Sequence, residues 1–338
     1  MIVVGGIDEA GYGPLLGPLI VSGAGFEITN PQQGDSLWKL LSGSISTARS
    51  KRDRRLPIID SKRLYVRKQG LAALERSALV MLHVAGVRPT SFRGLLTAVC
   101  PHVLGELDDY PWYRDYDPPL PVSVTPADVA TRANAVARDC KANGVCVSGI
   151  YVEPLLEGRF NRLVSNTRNK AVVSLGLTLR IVQRILDQAA DHPVRLCIDR
   201  QGGRQHYTQA LMTAFQGFDL RIVEESPERS AYRLTRDQRA RSTRQSSGAA
   251  PDADRSLGCQ IEFVTSGEEA AMPTALASII SKYLRELFMQ AVNDFWCARV
   301  PNLRPTAGYY QDGRRFLNDI TGAVDQAGVD RAILVRSR

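Results

Sequence analysis

The sequence predicts an α/β protein whose sheet begins antiparallel, and two observations carry that prediction. Apolar, Val- and Ile-rich runs alternate with longer stretches whose apolar residues recur every three or four positions, the pattern of strands between helices. The first two runs, residues 2–7 and 19–26, are separated by a glycine-bearing turn over 11–17, so the strands are neighbours and antiparallel.

The elements follow in order. Asp60-Ser61-Lys62 precedes a helical pattern reaching about residue 85, with Leu64, Leu71, Leu74, Ala78, Leu79 and Leu82 at spacings of three, four and seven. Residues 111–126 are Pro-rich and read as an excursion; 128–143 read as a helix and 145–152 as a strand. A long amphipathic helix is expected over 167–190, ended by His192-Pro193. A short strand over 194–198 runs into Asp199, followed by Gly202-Gly203, a helix to about residue 215 and a strand over 220–224. Residues 229–255 hold seven Arg against three Asp and few large apolar side chains, and read as a basic, flexible insertion. A strand over 259–264 and a helix over 273–295 come next. The tail from Val300 carries a Gly-Tyr turn and one or two short helices.

Composition narrows the class. The chain has 338 residues, 44% hydrophobic and 23% charged, which excludes a disordered or fibrous protein. Its 43 Lys+Arg exceed 35 Asp+Glu by +8, a balance that permits a polyanionic partner without requiring one. The six Cys (100, 140, 146, 197, 259, 297) form no CxxC pair and no cluster with His, so neither zinc nor a disulfide framework is expected, and a reducing compartment is. The start has no basic segment and is interrupted at once by carboxylates, unlike a signal peptide. The longest apolar stretch, 15–26, is broken by glycines and too short for a span of ~20 residues. A cytoplasmic protein, not bound to membrane, is expected, with a monomer as the expected state.

The sharpest local feature is Gly6-Ile7-Asp8-Glu9-Ala10-Gly11-Tyr12-Gly13-Pro14. Two adjacent carboxylates end an apolar run, and buried charges are costly unless paired or bound to metal. Neighbours on a regular strand face opposite ways, so the strand is expected to end or bulge for both acids to serve one site. A second acid, Asp199, ends a strand, where sites of open α/β sheets gather. A third, Glu286, shares a polar helical stripe with Ser278 and Lys282. Glu224 and Glu225 compete with Asp199 for its place. Asp8, Glu9, Asp199 and Glu286 make an oxygen-only donor set of the kind that two Mg²⁺ or Mn²⁺ ions prefer. No His cluster offers an alternative.

Five segments in order resemble the type 2 ribonuclease H family, ribonucleases HII and HIII. They are GIDEAGYGPLLGPLIVSG at the start, IIDSKRL at 58–64, LCID at 196–199, ALASIISKYLRE at 275–286 and PTAGYYQDGRRFL at 305–317. The resemblance implies a ribonuclease H-like mixed sheet flanked by helices. It implies metal-dependent endonucleolytic cleavage of the RNA strand of RNA–DNA hybrids or ribonucleotide-containing duplexes, leaving 5′-phosphates. By similarity Asp8, Glu9, Asp199 and Glu286 bind the metals, Lys62 and Lys282 contact phosphates, and Tyr309 packs on a neighbouring sugar. Gly11-Tyr12-Gly13 would line the ribose and read its 2′-hydroxyl, the group that separates RNA from DNA.

The chain departs from that family in three ways. Tyr12 stands where the family has Arg, Glu286 where it has Asp, and the chain is longer. The extra length has two addresses, 86–150 and 202–257. One catalytic domain over 1–296 is expected, with the expanded region 86–150 and the basic insertion 229–255, and a helical extension over 297–338. Loss of the Arg opens two further readings: a nuclease acting on DNA or another structure, or a non-catalytic nucleic-acid-binding relative.

Overall fold

The opening run forms strand β1 (Ile2–Ala10), which a tight loop returns as the antiparallel strand β2 (Leu19–Ile28), with Ile2 opposite Ile28 and Ala10 opposite Ile20. The computed structural model describes residues 1–29, 36–50, 52–66, 70–190, 192–236 and 258–337. Period-two alternation sorts β1 between two apolar clusters: Ile2 and Val4 join one, Val3 and Ile7 the other. The sheet therefore has a core on each face.

After helix α1 (Leu37–Leu40), strands β3 (Ile45–Ser46) and β4 (Leu56–Pro57) form a small parallel pair. The helix expected from Asp60 is in fact two. Helix α2 (Ser61–Leu64) stops after one turn and α3 (Ala72–Val84) starts beyond Gly70, whose φ of 69° lies outside helical backbone. Helix α4 (Phe92–Val99), a 3₁₀ segment (Pro101–Asp109) and α5 (Pro126–Ala142) fill the expanded region, and its Trp112 and Tyr113 are buried in the same cluster as Ile2.

Strand β5 (Val145–Leu155) pairs antiparallel with β2. Helix α6 (Glu157–Thr167) follows, an element the sequence reading passed over. It buries only Phe160 and Val164 among large apolar residues, one helical turn apart, too little periodicity to stand out. Arg168 then takes a left-handed φ of 52°, and Asn169 caps α7 (Lys170–Ala189) by accepting from the N–H groups of Ala171 and Val172. The long helix thus begins at Lys170 and not at Thr167.

Strand β6 (Val194–Asp199) pairs parallel with β1 and, after α8 (Thr208–Ala214), β7 (Phe218–Glu225) and β8 (Arg229–Arg236), with β9 (Gly258–Val264). The sheet order is β5-β2-β1-β6-β9-β8-β7, mixed, as the resemblance implied. Strand β8 corrects the reading of a flexible insertion from residue 229. Its arginines disguise an alternating strand that buries Tyr232 and Leu234, and Arg229 is paired with Glu224 and Glu262. The rest of that insertion, 237–255, lies outside the described residues.

Helices α9 (Gly267–Ala270) and α10 (Met272–Cys297) follow β9. Helix α10 lies across β1 and β2 on one face of the sheet, and α7 lies on the other. The approach of α10 requires Gly6: a Cβ there would sit 2.1 Å from the Thr274 nitrogen and 2.4 Å from the Pro273 carbonyl carbon. Each of its fully buried Leu, Ile and Phe side chains contributes about 1.5–3 kcal/mol by leaving water. Helices α11 (Tyr310–Asp319), α12 (Thr321–Gln326) and α13 (Arg331–Leu334) close the chain and add Phe316, Ile320, Val324 and Leu334 to the α10 side. Among the described residues no helix is long and apolar enough to cross a membrane.

Candidate active site

The β1–β6 pairing ends at Ile7 opposite Ile198, and β6 itself ends at Asp199. Asp8, Glu9 and Asp199 therefore stand together at the carboxyl edge of the parallel strands, where open α/β sheets place their sites. No bulge is needed. The β1–β2 register is unbroken through Ala10, and the two acids leave opposite faces of a strand whose other neighbour has stopped. This replaces the expected strand end or bulge at the acids.

Each acid is held differently. Asp8 is buried on the α10 side, where Ser278 hydrogen-bonds to it and Ser281 Oγ donates to its carbonyl at 3.1 Å. Glu9 Oε2 accepts from Gln201 Nε2 at 3.0 Å, and the same amide donates to Thr178 on α7 at 2.8 Å. Asp199 Oδ1 accepts from the Gly267 N–H at 2.9 Å, at the start of α9. Burial pushes the Asp8 carboxyl well above the usual range, and the charges of Glu9, Asp199 and Glu268 add to it. Burial and Asp199 push Glu9 up to about 7, against the Gln201 hydrogen bond and the Lys62 charge. Burial raises Asp199 to about 6, with Glu268 adding to the rise.

Glu268 is the residue the sequence reading missed. It is 8% exposed, it acts on all three acids, and its Oε2 has no hydrogen-bond partner among the described residues. Lys62 Nζ lies 3.9 Å from its Oε1. A signal was present: Glu268-Glu269 is an adjacent acid pair just beyond an apolar strand, as Asp8-Glu9 is. Glu268 lines a groove with Lys62 and Asp199, whereas Glu286 lines the cleft of Asp8, Glu9 and Asp199 itself, with its carboxylate held by Lys282 Nζ at 2.5 Å and by the Tyr65 hydroxyl at 3.0 Å. Lys282 also lies 5.1 Å from the Tyr65 ring centroid. Glu224 and Glu225 are on β7, with β9 and β8 between them and β6. Glu224 pairs with Arg229, and Glu225 accepts from Tyr232 and contacts His206, so neither replaces Asp199.

The Asp-Ser-Lys element divides its work. Asp60 caps α2 by accepting from the Lys62 N–H at 2.9 Å. Ser61 Oγ accepts from Ser278 Oγ at 2.9 Å, tying the turn to α10. Lys62 is thereby set over the acids. The 11–18 loop is held by two buried guanidinium groups. Arg285 donates to the carbonyls of Leu16, Pro18 and Ala307, each at 3.1 Å. Arg336, near the chain end, donates to Gly11, to Gly17 and, at 3.1 Å, to Tyr12. Burial and the Arg285 charge bring Arg336 down to about 9. Gly11 takes a φ of 91° to begin this loop.

Tyr12 turns its hydroxyl toward Gly202 and sits under Lys170, whose Nζ is 4.8 Å from the ring centroid. Tyr12, Gly11, Lys62, Lys282, Glu286 and Tyr309 line one cleft of about 820 Å³ with Asp8, Glu9 and Asp199; Gly13 does not line it. Among the described residues no three His, Cys, Asp or Glu side chains are gathered tightly enough to hold an ion as folded. The donors are right in kind for Mg²⁺ or Mn²⁺: all are carboxylate oxygens, they raise one another, and Glu268 Oε2 is orphaned.

No protein-family model matches the sequence, and no curated protein matches it. Among solved structures the chain is similar to a point mutant of Bst ribonuclease HIII (15% identity, TM-score 0.45, 99% of this chain and 66% of that one). It is similar to ribonuclease HII from Archaeoglobus fulgidus in its complex with PCNA (12% identity, TM-score 0.42, 100% and 95%). It is also similar to ribonuclease H2 from Pyrococcus horikoshii OT3 (12% identity, TM-score 0.43, 98% and 92%). The chain thus spans 66% of the length of the Bst protein.

Proposed function

We propose that this chain is a divalent-metal-dependent endonuclease that cuts the RNA strand of RNA–DNA hybrids. The observation that carries the reading is the meeting of Asp8, Glu9 and Asp199 in one cleft with Lys62, flanked by Glu268, whose charge acts on all three acids from an adjoining groove that Lys62 and Asp199 also line. Carboxylates that raise one another disfavour shared negative charge, and a divalent ion drawn between them would relieve it.

These four acids would hold the ions, which supply an activated water and stabilise the leaving oxygen of a phosphodiester. Glu268 takes the fourth place in this reading, and Glu286 becomes the partner that orients Lys282. Lys62 offers a point charge to the phosphate beside the cut. Gln201 fixes the Glu9 carboxylate by a hydrogen bond whose other end is anchored on α7. The guanidinium clamps of Arg285 and Arg336 set the 11–18 loop, so that backbone groups at Gly11 and Tyr12 border the ribose and meet its 2′-hydroxyl. Tyr309, half exposed at the rim, packs on the next sugar.

Purified protein with Mg²⁺ or Mn²⁺ is expected to nick a hybrid, leave 5′-phosphates and lose this with Asp8→Asn. Removal of the metal with a chelator is expected to stop it reversibly. Nicking by Asp8→Asn at the wild-type rate would falsify the assignment. Equal cutting of a matched all-DNA duplex would instead favour a DNA nuclease, the reading that Tyr12 in place of Arg leaves open.

A further inference from the structure

We infer that the groove beside the Asp60–Lys62 turn is a second phosphate-backbone surface, which holds the nucleic acid beyond the cut. It rests on the endonuclease reading and extends it. The groove has a volume of about 710 Å³ and is lined by Arg49, Arg55, Arg63, Arg76 and Arg132. Among the described residues, three carboxylates are paired with guanidinium groups of this groove. Arg55 pairs with Asp53 at 2.8 Å. Arg76 and Arg132 share Asp128, at 2.6 and 2.8 Å. Arg63 lies 3.7 Å from Glu269, with both side chains more than 60% exposed.

Three features fit a polyanion. The cations are in excess where the acids of the active site are absent. Two guanidinium groups are also fixed by backbone: Arg55 donates to the Ser42 carbonyl at 3.0 Å, and Arg132 donates to the Arg54 carbonyl at 2.6 Å. A guanidinium held in place keeps its charge at a set position, which suits a phosphodiester passing over the groove. Finally, groove and cleft share helix α2. Lys62 lines the cleft and Arg63, the next residue, lines the groove. A strand whose reacting phosphate lies under Lys62 carries its following phosphates across this single turn, about 3.4 Å of helix rise apart. Among the described residues no aromatic side chain lines the groove, which fits a grip on backbone and not the stacking of bases.

The test compares wild type with the double variant Arg55→Gln/Arg63→Gln, two exposed positions, and with Arg55→Lys/Arg63→Lys. Binding is measured by fluorescence anisotropy without divalent ions, as a function of salt, on a long hybrid, a long DNA duplex and a hybrid short enough to fill only the cleft. The Gln variant is expected to bind both long duplexes on the order of tenfold more weakly at about 100 mM salt, with a salt slope shallower by about two. The Lys variant is expected to keep the wild-type slope, and the short hybrid is expected to distinguish none of the three proteins. Unchanged affinity and slope on the long duplexes, or an equal loss on the short hybrid, overturns the groove. Nicking is assayed separately with Mg²⁺. Wild type that shows the groove's salt signature but cuts no hybrid refutes the endonuclease reading and leaves the groove standing.

Discussion

The Lys62 ammonium lies 3.9 Å from the Glu268 carboxylate, so the Asp-Ser-Lys turn faces an acid that no spacing argument had selected. The pair joins the start of α2 to the start of α9 beside the cleft that Asp8, Glu9 and Asp199 line. It also separates the two glutamates that compete for the fourth position.

If Glu268 is the fourth ligand, as proposed, Glu268→Gln is expected to lower hybrid nicking by at least about 100-fold, whereas loss of an outer partner costs about 10–100-fold. Glu286→Gln is expected to fall in that milder range, since it frees Lys282 without removing a donor. Single-turnover rates with saturating Mn²⁺ decide between them, and the reverse order restores Glu286 to the metal site.

Glu157 gives a pH dependence of stability remote from the metal ligands. It is buried, it accepts from the Tyr113 hydroxyl at 2.9 Å, and burial pushes its carboxyl up to about 7. The folded state keeps the proton where the unfolded chain, near 4.3, has lost it. Its contribution is therefore intact at low pH and declines as pH rises from about 4.3 to about 7, by on the order of 2–3 kcal/mol. Denaturant unfolding of wild type and Glu157→Gln across that window is expected to show the difference between them shrinking or reversing toward high pH. Parallel curves refute it.

Arg336→Met is expected to destabilise the fold by about 2–4 kcal/mol, because three loop carbonyls lose a buried donor. The same variant is expected to weaken hybrid binding through a less ordered 11–18 loop. Denaturant midpoint and hybrid Kd are the two readouts, and wild-type values for both rule out the clamp.

Gly6→Ala is expected to cost about 3 kcal/mol or more, since its methyl group meets the backbone of Thr274 at 2.1 Å and not a side chain that can turn away. Thermal unfolding by circular dichroism measures it. A stability near wild type would mean that α10 can move off β1 at little cost.

The sequence alone determined the antiparallel opening of the sheet, the strand that ends at Asp199 and the long apolar helix, and it named four acids, Asp8, Glu9, Asp199 and Glu286, that the fold brings to one cleft. These are local matters: β-branched runs, 3.6-residue periodicity and carboxylates placed where an apolar run stops. Tertiary structure decided what depends on neighbours distant in the chain. Strand β8 was hidden because its alternation is written in Arg as well as apolar residues, and only pairing with β9 and β7 makes it a strand. Asp8 and Glu9 need no bulge because β6, some 190 residues later, stops beside them. Glu286 has the helical stripe of a site residue and lines the cleft, yet its carboxylate goes to Lys282 and Tyr65, while Glu268, on a one-turn helix without periodicity, is buried beside Asp199 with one oxygen unpartnered among the described residues. Propensity and spacing fix which side chains an element offers; which of them meet is set by strand ends and helix crossings, and those are properties of the packed sheet.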